Sequence, residues 1–382
     1  MRANRIVAER LSNGDENKIV LCLKNNYPFG IQAGLIDEIP HQFQKRDFYF
    51  EDRIEKNTEK IFSYILKPTE RGEYSFGALN VYVKSYLSIV SRKFKFDKDK
   101  NVAVYPSYLQ MRKYELMAIS NRLTEMGIKR IRRISNNNEF EQIRDYIKGD
   151  DFSTINWKAT ARRTKLMVNQ FIDERSQQVY AILDMGRTMK MPFEGMSLLD
   201  YSINSALIVL NTAMIKQDKA GLISFEKDIT THLSANRKPT QMKKILESLY
   251  KLETQYQEAN YEMLYNLVRN KIKQRSLLLI YTNFEGITSM HRQLPLFRRI
   301  AKNHLLVVIF FENTEIEKLI EGKSTSLENI YIKTIAEKFM FEKRQIVKDL
   351  NKNGIQTVLS KPTELTINSL NKYIELKAKG LI

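Results

Sequence analysis

Cysteine is almost missing: Cys22 is the only one in 382 residues, so no internal disulfide can form and nothing points to an oxidising compartment. Lying in Ile19-Val20-Leu21-Cys22-Leu23, it reads as a buried strand thiol rather than a reactive one. Histidine is scarce too. His41, His232, His291 and His304 are scattered and none pairs with the cysteine, which argues against a zinc site of ordinary ligand spacing. No run approaches the about 20 apolar residues that a membrane span requires, and Met1-Arg2-Ala3-Asn4-Arg5 lacks the apolar centre of a signal peptide. The expectation is a soluble chain in the cytoplasm or at the inner face of the plasma membrane. No G-x-S-x-G elbow, H-E-x-x-H helix or dinucleotide fingerprint occurs, which removes the common sequence-visible hydrolases and oxidoreductases. Gly322-Lys323-Ser324-Thr325 resembles the end of a phosphate-binding loop, but Glu317 stands where that loop needs its first glycine. Acid is also in deficit. With 44 Asp and Glu against 62 Lys and Arg, the formal charge is +18 and the pI near 9.6. Such a surface favours anionic partners, whether nucleic acid, acidic lipid headgroups or an acidic protein, and charge alone does not choose among them.

What is present is the composition of a folded chain, 43% apolar with 19 Tyr and 19 Phe, at a length that suits two cores. From about 17 to 107 the apolar residues fall in short segments with period-two alternation, such as Ile19–Leu23, Asp47–Phe50, Ile61–Leu66, Leu79–Val83 and Val102–Tyr105. That spacing predicts an antiparallel β-sandwich of immunoglobulin-like kind over residues 1–110. Residues 111–178 read as a basic linker carrying Lys129-Arg130-Ile131-Arg132-Arg133 and then Lys158, Arg162, Arg163 and Lys165, a charge run taken as a solvated face. From 179 to 382 apolar strands alternate with helical patterns, beginning with Val179-Tyr180-Ala181-Ile182-Leu183 and the amphipathic Leu198–Ile215. This rhythm predicts a doubly wound, mostly parallel sheet, with ligands expected outside the carboxyl ends of its strands, in the loops after Leu183 and Tyr281.

The densest stretch of unusual residues is Gly149-Asp150-Asp151-Phe152-Ser153-Thr154-Ile155-Asn156-Trp157-Lys158-Ala159-Thr160-Ala161-Arg162-Arg163, followed by Leu166, Val168, Phe171, Glu174-Arg175 and Leu183-Asp184. On physical grounds the Asp pair caps a helix or pairs with Arg162 and Arg163, while Trp157, the only tryptophan, anchors the segment in an apolar slot. Buried in that way, Trp157→Ala would cost about 3–5 kcal/mol, and Arg162 or Arg175 would engage acidic side chains. With Glu139-Phe140, Ile143-Arg144 and Tyr146 upstream, this order of residues resembles the bacterial and archaeal family called domain of unknown function 58. Arg71-Gly72-Glu73-Tyr74-Ser75-Phe76-Gly77 also looks like that family's R-G-x-Y-x-x-G element.

The resemblance implies a von Willebrand factor A-like carboxyl half, association with MoxR-type AAA+ ATPases and other A-domain proteins, and an adaptor role rather than an enzymatic one. It also makes one site testable, the metal-ion-dependent adhesion site, where D-x-S-x-S, a Thr and a second Asp surround Mg²⁺. This chain has Asp184-Met185-Gly186-Arg187-Thr188, so Gly186 replaces the first hydroxyl, Thr188 keeps the second, Asn283 stands in the usual place of the second Asp, and Thr240 is the candidate for the Thr. One ligand and one negative charge are lost. The expectation is a degenerate site whose Mg²⁺ binding is no tighter than about millimolar, with no other cofactor. Two alternatives stay open, a basic nucleic-acid binder, disfavoured because no binding motif accompanies the charge, and a metal-dependent hydrolase in which Asp150, Asp151 and Asp184 converge.

Overall fold

Strands dominate the amino-terminal part because apolar side chains there recur at every second position. The computed structural model describes residues 1–45, 48–84, 90–97, 99–119, 138–147, 152, 155–163, 165–173, 176–313 and 327–381. Ten strands come first: β1 (Arg2–Ile6), β2 (Arg10–Ser12), β3 (Asn17–Lys24), β4 (Ile31–Asp37), β5 (Tyr49–Ile54), β6 (Glu59–Leu66), β7 (Gly72–Phe76), β8 (Leu79–Lys84), β9 (Ser91–Phe96) and β10 (Lys100–Tyr105). They form sheets in the orders β1-β3-β6, β2-β10-β7 and β5-β4-β8-β9. In β3 the alternation is plain: Ile19, Leu21 and Leu23 are buried while Lys18, Val20 and Cys22 face the other way. Cys22 is therefore half-buried on the outer side and not in the core, as its apolar neighbours suggested. All three sheets feed one core, to which Leu11, Leu21, Leu35, Phe76 and Val81 contribute. One pairing departs from the antiparallel expectation, since β2 runs parallel to β10; at three residues β2 is too short to announce itself by alternation. Inside the core Arg5 and Asp37 form a buried ion pair, with Arg5 Nε donating to Asp37 Oδ2 at 3.1 Å and the Tyr64 hydroxyl donating to the same oxygen, which ties β1, β4 and β6 together.

The stretch that reads as a basic linker is structured where it is described. Helix α1 (Tyr108–Ile119) follows β10 directly and lays Tyr114 into the core of the carboxyl-terminal domain. Farther on, β11 (Asn138–Asp145) and β12 (Met167–Asp173) pair antiparallel with a bulge between Phe140 and Gln142, and the short helix α2 (Trp157–Arg163) lies between them in sequence. Lys158, Arg162, Arg163 and Lys165 are exposed, as a solvated face requires, whereas the run from Lys129 to Arg133 lies outside the described residues.

The remainder is an α/β domain. Its elements are β13 (Gln178–Asp184), a small hairpin of β14 (Pro192–Phe193) and β15 (Met196–Ser197), α3 (Leu198–Ile215), β16 (Lys219–Phe225), β17 (Ile229–Asn236), α4 (Thr240–Tyr250) and α5 (Tyr261–Lys271). Then come β18 (Leu277–Tyr281), α6 (Ile287–Ala301), β19 (Leu305–Phe311), α7 (Leu327–Lys352), β20 (Gln356–Ser360) and α8 (Leu365–Ala378). The sheet order is β17-β16-β13-β18-β19-β20, parallel except for β17, which turns back antiparallel on β16. Both faces are covered, which is why the inner strands are apolar without alternation. Val179, Ala181 and Leu183 pack under α3 and α8, while Tyr180 and Ile182 pack under α5, α6 and α7. By length and composition α3 could cross a membrane, yet 83% of it is buried inside the protein, where it is the central helix of one face.

The first turn of α3 also joins the two parts of the chain. Ser197 caps it, accepting from the Asp200 N–H at 3.1 Å, and Asp200 in turn receives Arg71 Nε at 2.6 Å, both side chains almost wholly buried. Arg71 donates a second bond to the Leu249 carbonyl at the end of α4. Beside it Gly72 takes φ 132°, a value that resists any side chain, at the point where the backbone enters β7. Tyr105 stacks on Tyr250 at 4.4 Å and donates to Glu247 at 3.1 Å, and the Ser107 N–H reaches Asn204 Oδ1 at 2.9 Å. Removing one partner of a buried ion pair leaves the other charge without compensation. Arg71→Ala is therefore expected to lower unfolding free energy by about 3 kcal/mol, with part of the loss recovered in Arg71→Ala/Asp200→Asn; denaturant titration of the three proteins checks both.

Candidate functional site

The carboxyl ends of β13, β16, β18 and β19 meet on one edge of the sheet, and Asp184 is the last residue of β13. It is buried, at 2% exposure. A carboxylate placed there needs donors, and it has three: the Gly186 N–H on Oδ1 at 2.8 Å, and the hydroxyls of Tyr261 and Thr282 on Oδ2, each at 2.7 Å. Tyr261 and Thr282 are also within 2.7 Å of each other. Burial raises the Asp184 pKa above the ordinary carboxylate value, and the three donors oppose that rise. Burial beside Asp184 likewise pushes the Tyr261 hydroxyl well up, so it stays a donor.

A second buried carboxylate shapes the loop ahead of α5. Glu226, just past β16, accepts from the backbone N–H groups of Gln255 and Gln257 at 3.1 and 2.9 Å, while its own carbonyl accepts from Asn260 at 2.7 Å. The Gln257 carbonyl then receives the Arg187 N–H at 3.0 Å. This draws residues 257–259 over the loop after β13. A Cβ on Gly186 would stand 3.0 Å from Asp184 Oδ1 and 3.2 Å from the Ala259 nitrogen, so glycine is there for the closeness of that approach and not for an unusual backbone angle.

Next to this cluster the loop after β18 carries Asn283. Thr188 Oγ1 donates to the Asn283 carbonyl at 3.2 Å, and Lys343 Nζ, from α7, donates to Asn283 Oδ1 at 2.8 Å and to the Phe284 carbonyl at 2.6 Å. Burial pushes the Lys343 ammonium down to about 8. Lys343 also lines a cavity of about 490 Å³ whose walls include Met191, Phe193, Leu198, Phe284, Phe311 and Phe339. At its rim Arg187 pairs with Glu285 at 3.3 Å and Glu258 at 3.6 Å, all three side chains exposed.

Residues expected around Mg²⁺ are thus only partly brought together. Asp184, Gly186, Thr188 and Asn283 share one edge. Thr240 does not: it opens α4 at the other end of the sheet, where its neighbour Gln241 donates to the carbonyl of Ala220, the partner in register of Val179 at the start of β13. The reason is the hairpin of β16 and β17, which returns the chain to the amino-terminal edge before α4 begins. A divalent ion does not fit what stands here. Asp184 is engaged by three donors, Gly186 brings no oxygen, and the Asn283 amide already serves an ammonium. Among the described residues no group of three His, Cys, Asp or Glu could hold a metal ion. Sequence reasoning passed over Tyr261, Thr282, Glu226 and Lys343. Tyr261 and Thr282 begin a helix and follow a strand, positions that suit plain capping, and Lys343 lies 60 residues from Asn283 inside a helical pattern with no local sign of its role.

In the signature segment, Gly149, Asp150, Asp151, Glu174 and Arg175 lie outside the described residues, as does Gly322-Lys323-Ser324-Thr325. Trp157 is corrected: it starts α2 and is 69% exposed, because that helix has no buried residue and offers no slot for the ring. Lys158 and Arg162 are exposed beside it, and Arg162 makes no ion pair among the described residues. What holds the segment is backbone and amide bonding. Asn156 Nδ2 donates to Asn169 Oδ1 at 2.8 Å and the Met167 N–H to Thr160 Oγ1 at 3.0 Å.

Strand order, the antiparallel edge strand and helices on both faces define a doubly wound α/β fold, with an aspartate closing its first strand. Residues 142–323, which begin in β11 ahead of this domain, match the family described as "Protein of unknown function DUF58", so this part of the chain carries a DUF58-family domain. Over 183 residues the chain is 27% identical to "Uncharacterized protein YeaD" of Bacillus subtilis (strain 168), a match covering 46% of this chain and 45% of that protein. The chain thus spans about half the length of the curated relative that it matches. Among solved structures it is similar to the conserved hypothetical protein BatB from Bacteroides thetaiotaomicron, at 15% identity and TM-score 0.36 over 53% of this chain and 100% of that one. It is also similar to the SpRpn10 VWA domain, at 12% identity and TM-score 0.32 over 51% and 93%.

Calorimetric titration with Mg²⁺ and Mn²⁺ is expected to give no saturable binding tighter than about millimolar; a micromolar site lost in Asp184→Ala would contradict the geometry above. For the exposed Trp157, replacement by Ala should leave stability within about 0.5 kcal/mol of the parent, where a buried ring would lose several times that, and thermal unfolding separates the two.

Proposed function

We propose that the chain is a non-enzymatic interaction module, an adaptor that engages a carboxylate-bearing partner at the strand-end loops of its A-like domain. In this reading residues 1–110 are an immunoglobulin-like β-sandwich, 111–178 a basic connecting and signature segment, and 179–382 the von Willebrand factor A-like domain. The partner is a MoxR-type AAA+ ATPase, met in the cytoplasm or at the inner face of the plasma membrane. The observation that carries the proposal is the division of labour at the strand ends. Asp184, the acidic group best placed for chemistry, is spent on holding three loops together, while the surface beside it offers an apolar cavity and cationic side chains. Concave, mostly apolar sites with a few convergent polar groups are built for recognition. The overall charge of +18 adds long-range attraction for an acidic partner.

Binding of the chain to a purified MoxR-type AAA+ ATPase, measured by interferometry, tests this. The variant Arg187→Glu/Met191→Asp alters two exposed rim residues and is expected to weaken binding about tenfold or more, the scale of a lost charged contact. Unchanged affinity would move the docking surface away from the strand ends, and absence of binding by the parent protein would remove this class of partner.

A further inference from the structure

Lys343 stands out among the charges of the strand-end region. Its ammonium has three hydrogens to donate, and the two acceptors it meets, Asn283 Oδ1 and the Phe284 carbonyl, are both neutral. Among the described residues no carboxylate lies within ion-pair distance of it. Lys343 is half-buried, and a cation partly withdrawn from water without a counter-anion costs free energy that an anion brought to it recovers in part. Of the acidic residues around the cavity, Glu285 is held by Arg187, and Glu312 makes no ion pair with Lys343. The cavity itself, about 490 Å³, is large enough for a bulky side chain and falls within the ordinary range of binding pockets.

The helix that supplies Lys343 indicates how large the occupant is. Along α7, Tyr331, Ile335 and Phe339 precede Lys343 at intervals of four residues, so they form one ridge leading to the ammonium. All three are exposed, at 70%, 38% and 44%. From Tyr331 to Lys343 the ridge runs roughly 18 Å at the helical rise per residue. A small molecule filling the cavity would leave that apolar surface in water, whereas a polypeptide segment lying along the helix would cover it.

We propose that α7 and the cavity receive an acidic, apolar segment of a partner polypeptide, with one large apolar side chain in the cavity and its neighbouring carboxylate on Lys343 Nζ. Lys343 then supplies, from within the chain, the positive charge that a bound metal ion supplies in an intact adhesion site. This rests on the reading of the strand-end loops as the docking edge and goes further by naming the cation, the ridge and the chemistry of the segment.

Panning a displayed library of random 12-residue peptides on the full chain, with counter-selection on Lys343→Met, tests it without assuming a partner. The expected result is enrichment of peptides that set Asp or Glu beside Leu, Phe or Trp. A synthetic consensus peptide should bind the parent protein about tenfold more tightly than it binds Lys343→Met or Phe339→Asp, as loss of one charged hydrogen bond or of the ridge would give. Its Glu→Gln analogue, measured on the parent protein, should lose a similar factor, which keeps the test valid if either protein variant folds poorly. No enrichment over Lys343→Met, a consensus without an acidic residue, or equal binding of the Gln analogue would overturn the proposal. Loss of ATPase binding in Arg187→Glu/Met191→Asp but not in Lys343→Met would leave the docking edge standing and remove only the lysine. Failure of the ATPase to bind while the library enriches acidic peptides would do the reverse.

Discussion

A carboxylate sealed from water at the end of a central strand sets the terms for everything around it. Asp184 cannot stay charged there unless donors are brought to it, and the three that serve it come from three separate stretches of chain: its own loop, the head of α5 and the end of β18. The loops are thus fastened to one another through a single side chain. Glu226 repeats the device one strand over, with backbone N–H groups as donors. The edge that a parallel sheet normally leaves open for ligands is here stiffened from beneath by buried acid, and recognition is left to the residues above it.

The same arithmetic of donors and charge governs the loops beside Asp184. There the chain presents a glycine pressed against Ala259 and an asparagine whose oxygen accepts from Lys343. Neither brings negative charge, and the lysine brings a cation of its own.

Much of the architecture was legible in the residues. The change from period-two alternation to long apolar strands separated the β-rich region from the α/β domain, and α3 was read with its bounds intact, because its apolar run ends in a capped, polar terminus. The consequence of the β16–β17 hairpin for Thr240 was not legible, since sequence order says nothing of which edge a strand returns to. Trp157 misled for a different reason. Aromatic rings are usually buried, but burial needs a neighbour, and α2 is too short and too polar on every side to supply one. Charge obscured β11 and the absence of strict alternation obscured β12, and Lys343 could be valued only once the fold had carried α7 past the end of β18.

The first turn of α3 has two duties. Leu198 forms part of the cavity wall, and two residues later Asp200 holds Arg71 of the β-rich region. These side chains hang from the same helical turn, whose backbone is stiffened by the Ser197 cap, so neither can shift far without moving the other. The geometry is that of a lever with a very short arm. The cavity wall and one of the bonds across the seam between the two parts of the chain therefore share a single support.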